Sequence, residues 1–412
     1  MRLLFLTTEF PWPATSGGPV RTLSQLRTLS ALPEVERITL LSVSERPVTE
    51  AGCRELAEAV GKLDVRPPIH HPVHLWRHPR HVPRVVALRA LGVPYLAAKW
   101  DSPALRTALR RELRDASIDL AYIDHLGMAR YLAEIRAGRP AATVVLEQHN
   151  VESEFYAQLA EGSRGLMRWI AGVEGRAAAH FERLLLQSVD RVVAISGDAV
   201  DHFQRVADVR AHLVPVAVEL ERRPRLHPGR PHFCYVGNLS WRPNVAGLDW
   251  FCAEVWPRIR ARIPDVTMEI AGAHLDLDAR GKPLVPHAWR VPGVETAGFL
   301  EELEPLYRRS LAVLAPVCGG SGVRIKVLEG LRAGLPVVTT GDGASGLGVS
   351  DGKEVLIADD ADAFAGHVES LVCDEALRSR LREAGYAFLE QYHSPAAARR
   401  ALRAALGRSH ES

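Results

Sequence analysis

Short runs of consecutive apolar residues alternate along this chain with longer segments whose apolar positions recur every three or four residues. Leu3–Thr7, Ile38–Val43, Ile118–Ile123, Thr143–Glu147, Arg191–Ile195 and His212–Pro215 read as strands in the first half, and Phe233–Val236, Val266–Ala271, Leu311–Ala315 and Val337–Thr339 in the second. Between them Val245, Leu248, Cys252, Val255 and Ile259 fall at helical spacing, as do Val323, Val327 and Leu331. Strands that are apolar throughout are buried on both faces, which predicts parallel sheets covered by helices on either side.

The pattern restarts after residues 219–231, a charged stretch with three prolines and no period that reads as a linker. The expected fold class is therefore α/β. A Rossmann-like doubly wound domain spans 1–218 and a second spans 232–391, and a final helix within 392–412 returns to the first. Ligands of such sheets bind outside the carboxyl ends of the strands. The loops after Thr7, Glu147, Val236 and Ala315 are accordingly predicted to face a cleft between two domains.

Composition narrows the classes. The 412 residues are 24% charged and 47% hydrophobic, with a formal net charge of +2, which excludes a disordered or fibrous chain. Five widely spaced cysteines argue for a reducing compartment and against structural zinc. No uncharged apolar run reaches the roughly 18 residues needed to span a bilayer, and the first apolar run meets Glu9 too early for a secretory signal. The expectation is a cytoplasmic protein. Charge is uneven, however: only five of the 51 basic residues are lysines, and residues 66–114 hold ten Lys/Arg against Asp101 and Glu112. That stretch reads either as solvated surface or as a peripheral contact with the inner face of an anionic membrane or with a phosphate-bearing acceptor. Its histidines (His70, His71, His74, His78, His81) lack partnered cysteines or carboxylates, so no metal site is expected there. No nucleic-acid motif is present.

The most informative segment is 311–338. A buried strand enters Cys318-Gly319-Gly320-Ser321-Gly322, then a helix with Arg324, Lys326 and Glu329, then Gly334-Leu335-Pro336 and another strand. Glycines before a helix let backbone N–H groups face an anion, and the helix dipole adds positive potential. Arg324 and Lys326 add full charges. Glu329 lies eight residues beyond Ser321, about 12 Å along a helix. Diphosphate at the helix end and ribose hydroxyls at Glu329 would suit a nucleotide-diphosphate sugar; the alternative is an ordinary helix start with solvated charges.

Residues 311–338 resemble the nucleotide-binding signature of retaining glycosyltransferases with the GT-B fold, the family 4 type (glycosyltransferase group 1). The likeness extends through Trp12-Pro13 and Ser16-Gly17-Gly18-Pro19, Asp190–Ser196, Tyr235–Asn244 and Thr296–Leu300. It implies two Rossmann-like domains facing across a cleft and a nucleobase held by Gly237, Phe299 and Leu300. The sequence departs from the usual signature in placing Ser321 where a first Glu stands. After the first strand of the second domain it has one arginine, Arg242, where the family commonly has an Arg and a Lys. The changes resemble a branch with Gly-Gly-Ser-Gly-x-Arg-x-Lys, in which Arg324 and Lys326 would take the diphosphate.

In the first domain, Glu147-Gln148-His149-Asn150 ends a strand. The resemblance places His149 in the donor-sugar pocket, where a neutral imidazole can bond a hydroxyl; a helix-capping histidine is the alternative. Gly17 and Gly18 either present N–H groups to phosphate or acceptor or form a plain tight turn. Glu152 and Glu154 read as solvated or acceptor-contacting, and Asp124-His125 as structural.

The expected activity is transfer of a sugar from a nucleotide-diphosphate donor to an acceptor hydroxyl, with retention and without a metal or other cofactor. Arg324, Lys326 and His149 form the catalytic set, Gly17, Gly18, Gly319, Gly320, Ser321 and Gly322 the donor diphosphate and sugar contacts, and Glu329 the ribose contact. Partners are the nucleotide sugar and a small-molecule, saccharide or lipid-linked acceptor. A sugar-nucleotide 2-epimerase of the same fold, or a non-catalytic nucleotide-sugar-binding protein, are the alternatives.

Overall fold

In a computed structural model of the chain, residues 1–14, 17–72, 79–115, 117–220, 222, 229–273, 275, 283–320 and 323–407 are described. They form two units, Met1–Ala217 with Ala398–Ser412, and Val218–Ala397.

The first unit is built on β1 (Arg2–Thr7), β2 (Arg37–Ser44), β3 (Leu63–Val65), β4 (Ile69–His70), β5 (Leu120–Asp124), β6 (Thr143–Gln148), β7 (Arg191–Ala194) and β8 (Ala211–Leu213). Their order is β3-β2-β1-β5-β6-β7-β8, with β4 also on β2. Every pairing is parallel; in β1, for example, Phe5 lies between Leu40 and Tyr122. The central strand β1 is buried on both faces, and alternation splits its side chains between two cores. Leu4 and Leu6 join one with Leu146 and Phe203. Leu3 and Phe5 join the other with Leu26, Tyr122 and, from the last helix (Pro395–Ala405), Leu402 and Ala405. β3 and β4 are too short to print a hydrophobic pattern, which is why periodicity passes over them.

The second unit contains β9 (His232–Val236), β10 (Thr267–Ala271), β11 (Val294–Gly298), β12 (Ala312–Ala315), β13 (Val337–Thr339) and β14 (Leu356–Ile357), in the order β11-β10-β9-β12-β13-β14. These pairings are parallel too. The segment Thr296–Gly298 belongs to edge strand β11, which the apolar pattern does not predict. The strand escapes a periodicity reading because its pattern is mostly half-buried. The helical spacing from Val245 to Ile259 corresponds to Arg242–Trp250 and Trp256–Arg262, joined through one wide turn at Phe251–Val255. The expected linker ends where β9 begins; Glu221 and residues 223–228 lie outside the described residues.

Candidate functional site

At the carboxyl edge of the second sheet, glycines continue two strands, β9 and β10, beyond their ends. Gly237 N–H donates to Ala271 O (3.1 Å) and Gly272 N–H to Gly298 O (2.7 Å). A side chain at 272 would run into Gly237 O, so the two loops lie in direct contact. The neighbouring β12 leads into Gly319 and Gly320, whose φ of 73° and 86° favours glycine. The helix Ile325–Arg332 follows, with Arg324 at its N-cap and no side-chain capping bond.

Lys326 and Arg324 converge here. The Lys326 ammonium donates to Tyr235 Oη (2.7 Å) and Asn244 Oδ1 (2.5 Å) and lies 4.4 Å from the Tyr235 ring centroid. Both partners are neutral, and no carboxylate pairs with Lys326 among the described residues. Burial, then the charge of Arg324, pushes its pKa well below the ordinary lysine value. Arg324, 3% exposed, donates to Gly319 O (3.1 Å) and Gly320 O (2.7 Å), and its guanidinium covers Trp241 at 5.0 Å. Burial lowers it to about 10, with Asp342 opposing. Two like charges brought together away from bulk water favour an anion that joins them. A Cβ on Gly237 would sit 3.2 Å from the Lys326 nitrogen, so this glycine borders the cationic site itself.

The glycine turn is less open than its sequence implies. Gly319 N–H donates to Asp342 Oδ2 (2.6 Å), so this amide is already taken. Gly320 is covered by Pro243 and Trp241, at 2.9 and 3.1 Å from an added Cβ. Ser321 and Gly322 lie outside the described residues. Glu329 is half-buried, and Arg332 holds its Oε2 at 2.8 Å. Phe299 and Leu300 follow β11 on the same edge of the sheet as Gly237, with Phe299 52% exposed.

In the first unit the carboxyl ends of β1, β5 and β6 gather a buried polar network. Asp124 accepts from Thr7 and Thr22 hydroxyls at 2.7 and 2.8 Å, and its other oxygen lies 2.8 Å from His149 Nε2. Burial opposes the Asp124 charge, yet His149, His125 and the hydrogen bonds hold its carboxyl below the usual range. The same carboxylate outweighs burial at His149 and raises that imidazole. The His125 ring lies 3.9 Å from that of His149, tilted by 50°; His125 is pushed down to about 3 by burial and holds a φ of 78° rare for a non-glycine residue. Glu147 accepts from Arg21 Nε (2.5 Å) and Tyr122 Oη (2.6 Å). Helix Gly17–Ser30 begins at the expected glycines, but a Cβ on Gly18 would collide with Glu9 Oε1. Burial and then Asp124 raise Glu9 to about 7. Ser16 lies outside the described residues.

Sequence reading passed over Glu9, Arg21, Tyr235 and Asn244. Glu147 was a usable signal: a carboxylate inside an apolar strand demands a buried cation somewhere. Glu152 is half-buried. Burial raises it to about 7 against the pull of Lys99. Glu154 pairs with His202 at 2.8 Å. Asp124, His125 and His149 bring three potential metal-ligand atoms within 4.8 Å of one another, a carboxylate–imidazole set that a divalent ion could use.

Residues 230–374 match the family described as Glycosyl transferases group 1. Over 380 residues, 89% of this chain and 90% of the relative, the sequence is 23% identical to an uncharacterized 44.6 kDa protein in the cps region of Klebsiella pneumoniae. Sucrose-phosphate synthase from Thermosynechococcus elongatus is similar in structure, with a TM-score of 0.70 at 14% identity over 97% of this chain and 96% of that one. Anabaena HepE, solved in complex with UDP and glucose, gives a TM-score of 0.65 at 13% identity over 99% of both chains. The two parallel-sheet units have the GT-B fold. The family match lies within the second unit and, with that fold, supports a glycosyltransferase.

Proposed function

We propose that the protein transfers a sugar from a nucleoside-diphosphate donor to an acceptor hydroxyl with retention of anomeric configuration and without a metal. The observation that carries this reading is the convergence of buried Arg324 with half-buried Lys326, whose ammonium donates to the neutral Tyr235 hydroxyl and Asn244 oxygen, at the carboxyl edge of a parallel sheet. Breaking the anomeric C–O bond leaves negative charge on the departing diphosphate. Fixed cations in a low-dielectric setting stabilise that charge at little reorganisation cost. With the Gly319 amide held by Asp342, the charge falls chiefly to Lys326, Arg324 and the helix N-terminus. Exposed Phe299 offers a face on which a base can stack. Glu329, steadied by Arg332, offers a carboxylate oxygen to ribose hydroxyls. His149, fixed by Asp124, offers the donor sugar a hydrogen bond.

The family resemblance supports same-face attack, with a phosphate oxygen of the leaving group taking the acceptor proton, so no side-chain base is named. The complex of HepE with UDP and glucose makes UDP the first nucleotide to try. A peripheral contact with an anionic membrane would befit a lipid-linked acceptor. The test is a thermal-shift screen with nucleoside diphosphates, followed by transfer assays with NMR of the product anomer. Stabilisation by a diphosphate and a retained anomer support the reading; no nucleoside diphosphate raising the melting temperature defeats it. Product from donor alone would instead indicate an epimerase.

A further inference from the structure

The membrane contact rests on the reading above, but the charge count over 66–114 is a poor map of it. Within that stretch Arg66 pairs with Glu112, Arg84 with Asp101, Arg89 with Glu174, and Arg106 and Arg110 with Glu134. Lys99 is buried, and burial lowers its pKa. Much of the apparent basic patch is therefore neutralised in the fold.

A different feature of the same unit stands out. The helix Gly165–Ser188 opens with seven consecutive exposed residues counting from Arg164: Arg164, Gly165, Leu166, Met167, Arg168, Trp169 and Ile170. Two helical turns ordinarily bury one face of a surface helix. Here Leu166 is 70%, Met167 52% and Trp169 65% exposed, so this end projects from its unit. Helix Val82–Ala90 carries exposed Val82 and Val86, with Leu91 (79% exposed) just after it. The Arg89–Glu174 ion pair ties the two helices together. Residues three, four and seven apart share a helix face, so Ile170 and Met167 lie on the Glu174 side of their helix.

Charge identifies what covers these apolar groups. Residues 79–92 and 164–173 contain no aspartate or glutamate. Arg80, Arg164 and Arg168 make no carboxylate pair among the described residues. A second protein surface would ordinarily call for a mixed rim. Exposed Glu161 precedes the patch and Glu174 is held by Arg89, so the unpaired charge among 79–92 and 164–173 is arginine. Apolar and tryptophan side chains flanked in this way match the interface of an anionic bilayer, where the rings sit at headgroup level and guanidinium groups meet phosphate. We infer that residues 164–170, with Val82, Val86 and Leu91, form a docking surface that inserts into an anionic membrane, and that this surface, rather than the 66–114 charge run, anchors the enzyme.

The full-length protein is sedimented with vesicles of phosphatidylglycerol and phosphatidylcholine, and with phosphatidylcholine alone. Binding to the anionic vesicles is expected, at least tenfold weaker in Leu166→Ser/Trp169→Ser. It should be about fivefold weaker in Arg168→Gln, the worth of one arginine near such a surface. The thermal shift with nucleoside diphosphates should be the same in all three proteins, which shows that the variants are folded and keeps this test separate from that of the donor site. Absence of binding to anionic vesicles, or equal binding by the double variant, overturns the inference. So does a wild-type dimer in size-exclusion chromatography that the double variant converts to monomer, because the surface then joins two copies of the chain.

Discussion

Among the described residues the Lys326 amine meets a tyrosine hydroxyl and an asparagine oxygen and no carboxylate. A bound diphosphate would favour the protonated amine, whereas in the free protein burial and Arg324 favour the neutral one. Above the lowered pKa, binding must take up a proton, so diphosphate affinity should fall as pH rises. Calorimetry at about pH 7 and about pH 9 should show this decline, and Lys326→Met should lose both the affinity and the slope. Lys326→Ala and Arg324→Ala should each reduce transfer at least tenfold, about 1.4 kcal/mol or more in the barrier. Unchanged kinetics in both would remove the phosphate role. Glu329→Ala should chiefly raise the apparent donor KM; a wild-type KM would detach Glu329 from ribose.

Glu9 permits a second titration. Its carboxyl goes from an ordinary value of 4.5 to about 7 in the fold. The folded state therefore holds a proton that the unfolded chain has released, and stability from this group is present at low pH and lost as pH rises through that window. Relative to Glu9→Gln, the wild type should lose up to about 2 kcal/mol between about pH 5 and pH 7.5, read from urea denaturation. Parallel curves for the two proteins would show that Glu9 ionises freely.

Among the elements, the helix Arg242–Trp250 sets the position of Asn244 and is seated directly on the chain leaving β12. Gly247 permits that approach, since a Cβ there would collide with the Pro316 backbone oxygen. Cys318 N–H also donates to Pro243 O at 3.1 Å. Gly247→Ala should cost about 1–3 kcal/mol, as overpacking does, and should weaken nucleotide binding by displacing Asn244 from Lys326. Denaturation midpoints and thermal shifts measure both. The motif itself was legible: strand, glycine turn and cationic helix follow one another within 311–338. The partners were not, because Tyr235 and Asn244 stand 91 and 82 residues from Lys326. Apolar patterning says which face of β9 is buried but not which distant amine will reach its tyrosine.

For the molecule as a whole, the last helix contributes Leu402, fully buried, to the core beneath Leu3 and Phe5. Leu402→Ala should destabilise the first unit by about 2–5 kcal/mol, seen as a lower unfolding midpoint for that transition. A metal-independent reaction predicts full transfer activity after EDTA treatment. Loss of activity restored by a divalent ion would turn attention to Asp124, His125 and His149.

The order of apolar and polar residues by itself determined two α/β units, their central strands and the cationic turn, because burial of a strand or helix face is written in local periodicity. Which charges inside those units meet a partner was decided only in three dimensions. Arg21 neutralises Glu147 from 126 positions away, and Arg89 and Arg106 find carboxylates on other helices, whereas Lys326 finds none among the described residues. Solvation penalties act on distances in the folded chain, and those distances depend on how strands are ordered in a sheet rather than on separation along the sequence.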